Sequence, residues 1–229
     1  MITDRQNQIL NCLIREYIKT AEPVGSDFLA EKYDFGICPS AIRIELQSLI
    51  KGGYLEQPHT SAGRIPTDRA YRLFVDEILR RNEREKRMKS LIDDFNDEFE
   101  LAAGLTKYLA EASSMFSAFR FLDRQLSWQA GWEEISREPE FLNQNFLSGF
   151  VSFLDAFEEN AEKLKFDSPI KVFIGKEIPL RRADDLSLIC SKCFNNEALI
   201  VMAGPKRMDY DKNIRLMHSL NKFLEESYG

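Results

Sequence analysis

The stretch Gly53 to Tyr71, GYLEQPHTSAGRIPTDRAY, constrains the fold more than any other part of the chain. Pro58, Gly63 and Pro66 punctuate it, and amphipathic helical patterns lie on both sides. Proline removes a backbone donor and glycine admits left-handed backbone, so a helix cannot run through. YLEQP reads as a strand and RIPT as the return strand of a hairpin, with HTSAG as an oversized tip. Thr67 then caps a helix over DRAYRLFVDEIL, with Tyr71, Phe74, Val75 and Ile78 turned inward. A phosphate cradle is the competing reading of the tip. The stretch lacks the repeated glycines and the Lys-Ser/Thr pair of a P-loop.

Three short helical patterns precede the hairpin. Thr3 and Gln6 form a capping box ahead of Ile9, Leu10, Leu13, Ile14, Tyr17 and Ile18, which recur on one face. TAEPVGS breaks that helix, and Ser26 is placed to cap a second, DFLAEKY, burying Phe28, Leu29 and Tyr33. Ser40 is placed to cap a third, AIRIELQSLI, with Ile42, Leu46, Leu49 and Ile50 inward and Arg43 and Gln47 outward. Gly52-Gly53 ends it. Tight turns between short helices, the third exposing Arg and Gln, make a helix-turn-helix pattern. A generic helical bundle fits the helices alone; the hairpin that follows converts the pattern to a winged helix. A tip of hydroxylated and small residues, with His59 and Arg64 beside it, suits phosphates or a minor groove.

The net charge of −6 argues by itself against nucleic acid, but it is unevenly spread. Residues 1–90 hold 15 Lys/Arg against 13 Asp/Glu, whereas the remainder hold 16 against 24. A mildly basic front on an acidic back fits a DNA reader joined to a domain with another task. No apolar run reaches the length of a membrane span, and the N-terminus lacks a signal-peptide pattern, so a cytoplasmic location with no membrane partner is expected. Cys190 and Cys193 form one CxxC, but Cys12, Cys38, His59 and His218 supply no matching ligand spacing, so no metal and no cofactor are expected.

The second half carries eleven phenylalanines between Phe95 and Phe166. Phe146, Phe150, Phe153, Leu154 and Phe157 follow helical spacing with a wide apolar face, serving a core or a dimer interface. The segment around Trp128, Gly131 and Trp132 reads equally as helix or loop. IKVFIG, DLSLICS and ALIVMAG read as strands, and DKNIRLMHSLNKFLEES as a closing helix with Ile214, Met217, Leu220 and Leu224 inward. In GPKRMDY, Lys206 and Arg207 suit either binding an anion or holding the domain to its neighbour. RRNEREKRMK, Arg80 to Lys89, reads as a solvated extension of the fourth helix joining two domains, with a phosphate contact as the alternative.

EYIKTAEPVGSDFLAEKY with LEQPHTSAGRIPTDRAYRLFVD resembles the N-terminal domain of the heat-inducible transcription repressor family HrcA, and ALIVMAGPKRMDY resembles that family's C-terminal signature. REPEF, Arg137 to Phe141, and VFIG, Val172 to Gly175, match more weakly. The resemblance implies a homodimeric repressor of chaperone operons that binds an inverted-repeat operator, is assisted by the chaperonin, and has no catalytic activity. It also implies a GAF-like domain with a dimerising insertion. Two departures stand out. Ile44 takes the place of an expected Asn and Ala41 of a usual Thr, so either the operator differs or Ile44 is buried. The chain is also short, and early strands of the GAF-like domain and the insertion are expected to be missing between Leu105 and Trp132.

The expected architecture is therefore α+β: a winged helix-turn-helix domain over 1–80, a charged linker helix over 81–104, and a trimmed GAF-like regulatory and dimerisation domain with added helices over 105–229. With the insertion gone, the aromatic region is the expected dimer interface. The expected DNA-binding residues are Ser40, Arg43, Ile44 and Gln47 on the third helix and His59, Thr60, Ser61 and Arg64 at the wing. The alternative is a regulatory adaptor, or chaperone-interacting protein, that has lost specific DNA binding. No Ser-His-Asp set, paired carboxylates or phosphate loop supports an enzyme.

Overall fold

A computed structural model of the chain describes residues 2–59, 62–81, 97–124, 126–194 and 196–228. It forms two compact units, Met1–Glu77 and Ile78–Gly229. Thr60, Ser61 and residues 82–96, which include most of the expected linker helix and Phe95, lie outside the described residues.

The first unit begins with α1 (Asp4–Thr20), whose N-terminus carries the Thr3–Gln6 capping box. Ile9, Leu10, Leu13 and Ile14 are fully buried on its inner face. Each such side chain contributes roughly 1.5–3 kcal/mol of hydrophobic stabilisation. α2 (Ser26–Lys32) starts one residue earlier than capping by Ser26 would require, because Gly25 holds the N-cap position. Leu29 is buried, but Phe28 is 44% exposed under the Lys32 ammonium. α3 (Pro39–Lys51) likewise begins before Ser40: Cys38 is the N-cap and Pro39 occupies the first turn, where its missing N–H costs nothing.

The hairpin is short, with β1 (Leu55–Glu56) pairing antiparallel with β2 (Ile65–Pro66). Arg64 extends it sideways through an antiparallel bridge to Val24, with Val24 N–H donating to Arg64 O at 3.0 Å and Arg64 N–H to Val24 O at 2.8 Å. Gly63 makes this approach possible, since a Cβ there would lie 2.5 Å from backbone atoms of Pro23 and Val24. Its smallness therefore serves the fold, not an approach to phosphate. α4 (Asp68–Arg81) follows, with Thr67 Oγ accepting from Ala70 N–H and donating to Gly53 O.

The second unit is a five-stranded antiparallel sheet between helices. Its strands are β3 (Phe116–Phe121), β4 (Ser127–Ala130), β5 (Ile170–Ile174), β6 (Leu186–Cys193) and β7 (Ala198–Pro205), in the order β4-β3-β7-β6-β5. α5 (Glu98–Ser113) and α8 (Tyr210–Tyr228) pack on one face. α6 (Trp132–Ile135), the 3-10 turn Pro139–Leu142 and α7 (Gln144–Asn160) lie on the other. Residues 98–104, expected to end the linker helix, are the first half of α5, with Leu101 and Ala102 fully buried.

Two strands thus occupy 116–130, where the early strands were expected to be missing. Strand alternation sorts the phenylalanines. Phe119 and Phe121 gather with Phe99, Trp128 and Phe194 on one face, and Phe116 meets Trp132 and Phe150 on the other. Gly131, at φ 98°, turns the chain between the two tryptophans, so Trp128 lies within β4 and Trp132 begins α6. Phe150, Phe153 and Phe157 are at most 1% exposed, so these rings are spent on the unit's own core and not on a dimer interface. Cys190 and Cys193 stand three residues apart on one strand and so point to opposite faces, which rules out the pair as joint ligands.

Candidate nucleic-acid interface

α3 carries the candidate surface because its two sides have different chemistry. Ile42, Leu46 and Leu49 are buried against α1 and α2, which turns the intervening positions to solvent. Ser40, Arg43, Ile44 and Gln47 are all exposed. Residues three and four apart share a helix face, so Ser40, Arg43, Ile44 and Gln47 form one outward stripe. Ile44 is 70% exposed, which settles its placement: it is not a core residue. An isoleucine held in water beside an arginine and a glutamine offers an apolar surface and donors side by side. That combination suits a base edge carrying a methyl group.

Among the described residues, the Arg43 guanidinium faces one carboxylate. Nη2 lies 3.6 Å from Oδ1 of Asp27 in the first turn of α2. Nothing in the sequence pattern singled out Asp27, since the pairing crosses from one helix to the next over sixteen residues. The thiol of Cys38 is exposed at the helix start, with Sγ 3.1 Å from Ser40 Oγ. That hydrogen bond and nearby helix-start amides hold the thiol below its usual pKa.

At the hairpin, His59 is exposed, as expected of a tip residue. Arg64 departs from expectation. Its backbone is pinned to Val24, and its side chain is buried, with 9% of the residue exposed and Nε without a hydrogen-bond partner. The backbone of Arg64 braces the hairpin base, and little of its side chain reaches the surface. Another brace had no sequence signal: Arg69 stacks on Tyr54 at 4.4 Å and donates to Gly52 O at 2.8 Å, tying the end of α3 to the start of α4.

α2 is held in turn by Glu16, a 2%-exposed carboxylate on α1. Lys32 Nζ donates to it at 2.6 Å and Tyr33 Oη at 2.6 Å. Burial pushes the Glu16 pKa up. The hydrogen bonds from Lys32 and Tyr33 and the Lys32 and Lys19 charges outweigh that and hold it below the usual carboxylate range. The Tyr33 hydroxyl is pushed up to about 12 by burial and by the Glu16 carboxylate.

In the second unit, Arg207 of GPKRMDY is tied within its own unit and not to a neighbouring one. It is engaged by Glu138 and by both oxygens of Glu140, at 2.6 and 2.9 Å, so it ties the turn after β7 to the REPEF segment. Among the described residues, no group of three His, Cys, Asp or Glu side chains could hold a metal ion. No helix among them is long and apolar enough to cross a membrane.

A family profile described as the HrcA protein C terminal domain matches residues 68–214. A protein of Carboxydothermus hydrogenoformans named heat-inducible transcription repressor HrcA aligns at 25% identity over 337 positions, covering 100% of this chain and 99% of that protein. The 229 residues here leave stretches of that relative without a counterpart. Identity rises in shorter segments. It is 44% over 125 residues with the like-named protein of Desulforudis audaxviator, covering 49% of this chain and 36% of that one. With that of Thermoanaerobacter sp. it is 54% over 79 residues, covering 34% and 23%. A crystal structure described as that of a hypothetical protein shares the fold, with a TM-score of 0.83 at 19% identity over 99% of this chain and 98% of that one.

Proposed function

The chain belongs to the HrcA family, and from that premise we propose that it is a heat-shock transcription repressor that reads operator DNA with α3. The exposed stripe Ser40, Arg43, Ile44 and Gln47 carries this reading, above all Ile44 at 70% exposure beside a solvent-facing guanidinium. The major groove offers thymine methyls and guanine acceptors to such a pair. In this reading the first unit is a winged helix: α1 to α3 form the helical part, and the β1–β2 hairpin with the Val24 bridge is the wing. His59 lies at its tip, and Thr60 and Ser61 complete the tip in sequence. These three and Ser40 contact the sugar-phosphate backbone, while Arg64 supports the wing from inside.

The second unit is read as the GAF-like domain, supported by an antiparallel sheet of order β4-β3-β7-β6-β5 between helical layers. The protein acts in the cytoplasm as a homodimer on an inverted repeat. Two α3 helices related by a two-fold axis then meet successive grooves about 34–36 Å apart. The family's chaperonin partnership is carried over as part of the same reading.

Selection of bound duplexes from a random pool at physiological salt tests it. An enriched inverted repeat is the expected result. Arg43→Ala then weakens binding to that duplex by ~1–3 kcal/mol and relaxes preference at one base pair. Normal operator binding by Arg43→Ala would exclude α3 as the reading helix. The adaptor reading draws on the same exposed Ile44, an apolar residue suited to a protein partner. It predicts no enriched duplex at any salt, whereas DNA binding falls with a slope of about −0.9 per phosphate neutralised.

A further inference from the structure

We propose that Asp27 is a specificity-determining residue whose carboxylate positions the Arg43 guanidinium for base reading. The inference rests on the assignment of α3 as the DNA-contacting helix. Asp27 Oδ1 stands 3.6 Å from Arg43 Nη2, with the two side chains 79% and 59% exposed. An ion pair so open to water is worth about 0–1 kcal/mol, so folding alone gives little reason for it. Its value changes when a duplex covers it. Water leaves, the local dielectric falls, and the same pair strengthens.

The geometry of the guanidinium then matters. It has five donors in a fixed plane. At 3.6 Å the carboxylate draws the guanidinium by charge without taking a hydrogen bond, so it biases where the group sits and leaves its donors for the O6 and N7 acceptors of guanine, which need a paired approach. Without Asp27 the side chain is free to swing to a phosphate oxygen, a contact that carries no sequence information. Asp27 opposes that swing a second way, because a carboxylate in the first turn of α2 repels a phosphate brought close to it. Ile44 follows Arg43 directly and is 70% exposed, so the polar reading group and an apolar neighbour are presented together.

Asp27 also has a structural role to be separated from this one. It lies in the first turn of α2, where a negative charge favours the helix, and Oδ1 accepts from Ser26 Oγ at 3.4 Å. Two variants therefore carry the test. Asp27→Asn removes the charge, and Asp27→Ser keeps a residue suited to a helix start. Affinities of the full chain are measured by fluorescence anisotropy, on the duplex that the parent enriches and on its single-base-pair variants.

Both substitutions are expected to lower the preference at one base pair by about fivefold or more. That base pair is the one relaxed by Arg43→Ala. Affinity for an unrelated duplex does not fall, and the unfolding midpoint stays near the parent's. In an Arg43→Ala background, Asp27→Asn changes the preference no further. Unchanged preference in Asp27→Asn and Asp27→Ser, or an equal change in the Arg43→Ala background, overturns the proposal. If Arg43→Ala relaxes a base pair and the Asp27 variants do not, this inference alone fails. If the parent enriches no duplex, the assignment of α3 fails first and this inference falls with it.

Discussion

Replacing Arg207 by methionine tests how the second unit is held together. The guanidinium is 10% exposed and faces Glu138 and Glu140, whose side chains are 20% and 26% exposed. Methionine keeps most of the apolar stem and removes the charge and fork. Breaking a fully buried pair costs about 3–5 kcal/mol, because the orphaned partner stays desolvated. Both carboxylates here retain a path to water, so the expected loss is about 2–3 kcal/mol. The two tryptophans of the chain, Trp128 and Trp132, both lie in this unit, so their fluorescence follows its urea unfolding. With a urea m-value of about 2–3 kcal/mol/M, the midpoint should fall by roughly 1 M. Adding Glu140→Gln to Arg207→Met should recover part of the loss, since an unpaired carboxylate has gone. Arg207→Lys should lie between, because it keeps the charge without the fork. A midpoint that stays within about 0.2 M of the parent in Arg207→Met would refute the reasoning.

Glu16→Gln should destabilise the first unit by about 1 kcal/mol at neutral pH, followed by circular dichroism during thermal unfolding. Glu16 has a lowered pKa in the fold. Its ionic contribution is therefore complete above the ordinary glutamate pKa of about 4.3 and lost as pH falls through the lowered value. Parent and variant should converge in acid, and a gap that widened there would reverse the assigned sign. Gly131→Ala should cost about 2–4 kcal/mol in the urea assay of the second unit. A Cβ there would lie 2.3 Å from Met115 O in a left-handed backbone, and a neutral substitution would mean the turn is misplaced. Cys38 should be the first thiol alkylated by iodoacetamide, as mapped by peptide mass spectrometry. It is exposed with a lowered pKa, while burial raises Cys12, Cys190 and Cys193, the last to about 12. Earlier labelling of any of those three would contradict the structure.

The helices of the first unit were legible because each has a local signal: the Thr3–Gln6 box, the buried periodicity of α1, and the Gly52-Gly53 stop. Cap positions at α2 and α3 slipped by a residue or more, since Gly25 and Cys38 can start a helix without a side-chain cap. β3 was hidden because FSAFRF, nearly all buried, does not alternate apolar with polar residues as a half-exposed strand does. The stripe on α3 could be found from spacing alone. Asp27, Arg69 and the burial of Arg64 could not, because each depends on which distant backbone comes close.

The bridge between Val24 and Arg64 has a thermal consequence. The segment entering α2 and the arm of the hairpin share backbone hydrogen bonds, and Gly63 leaves no slack between them. Neither loosens without the other, so the hairpin arm and the entry to α2 should melt together, and under the proposed DNA reading the contacts of both should be lost at once. On warming, operator occupancy should drop over the same few degrees in which the helical signal of this unit disappears, and not drift down ahead of it.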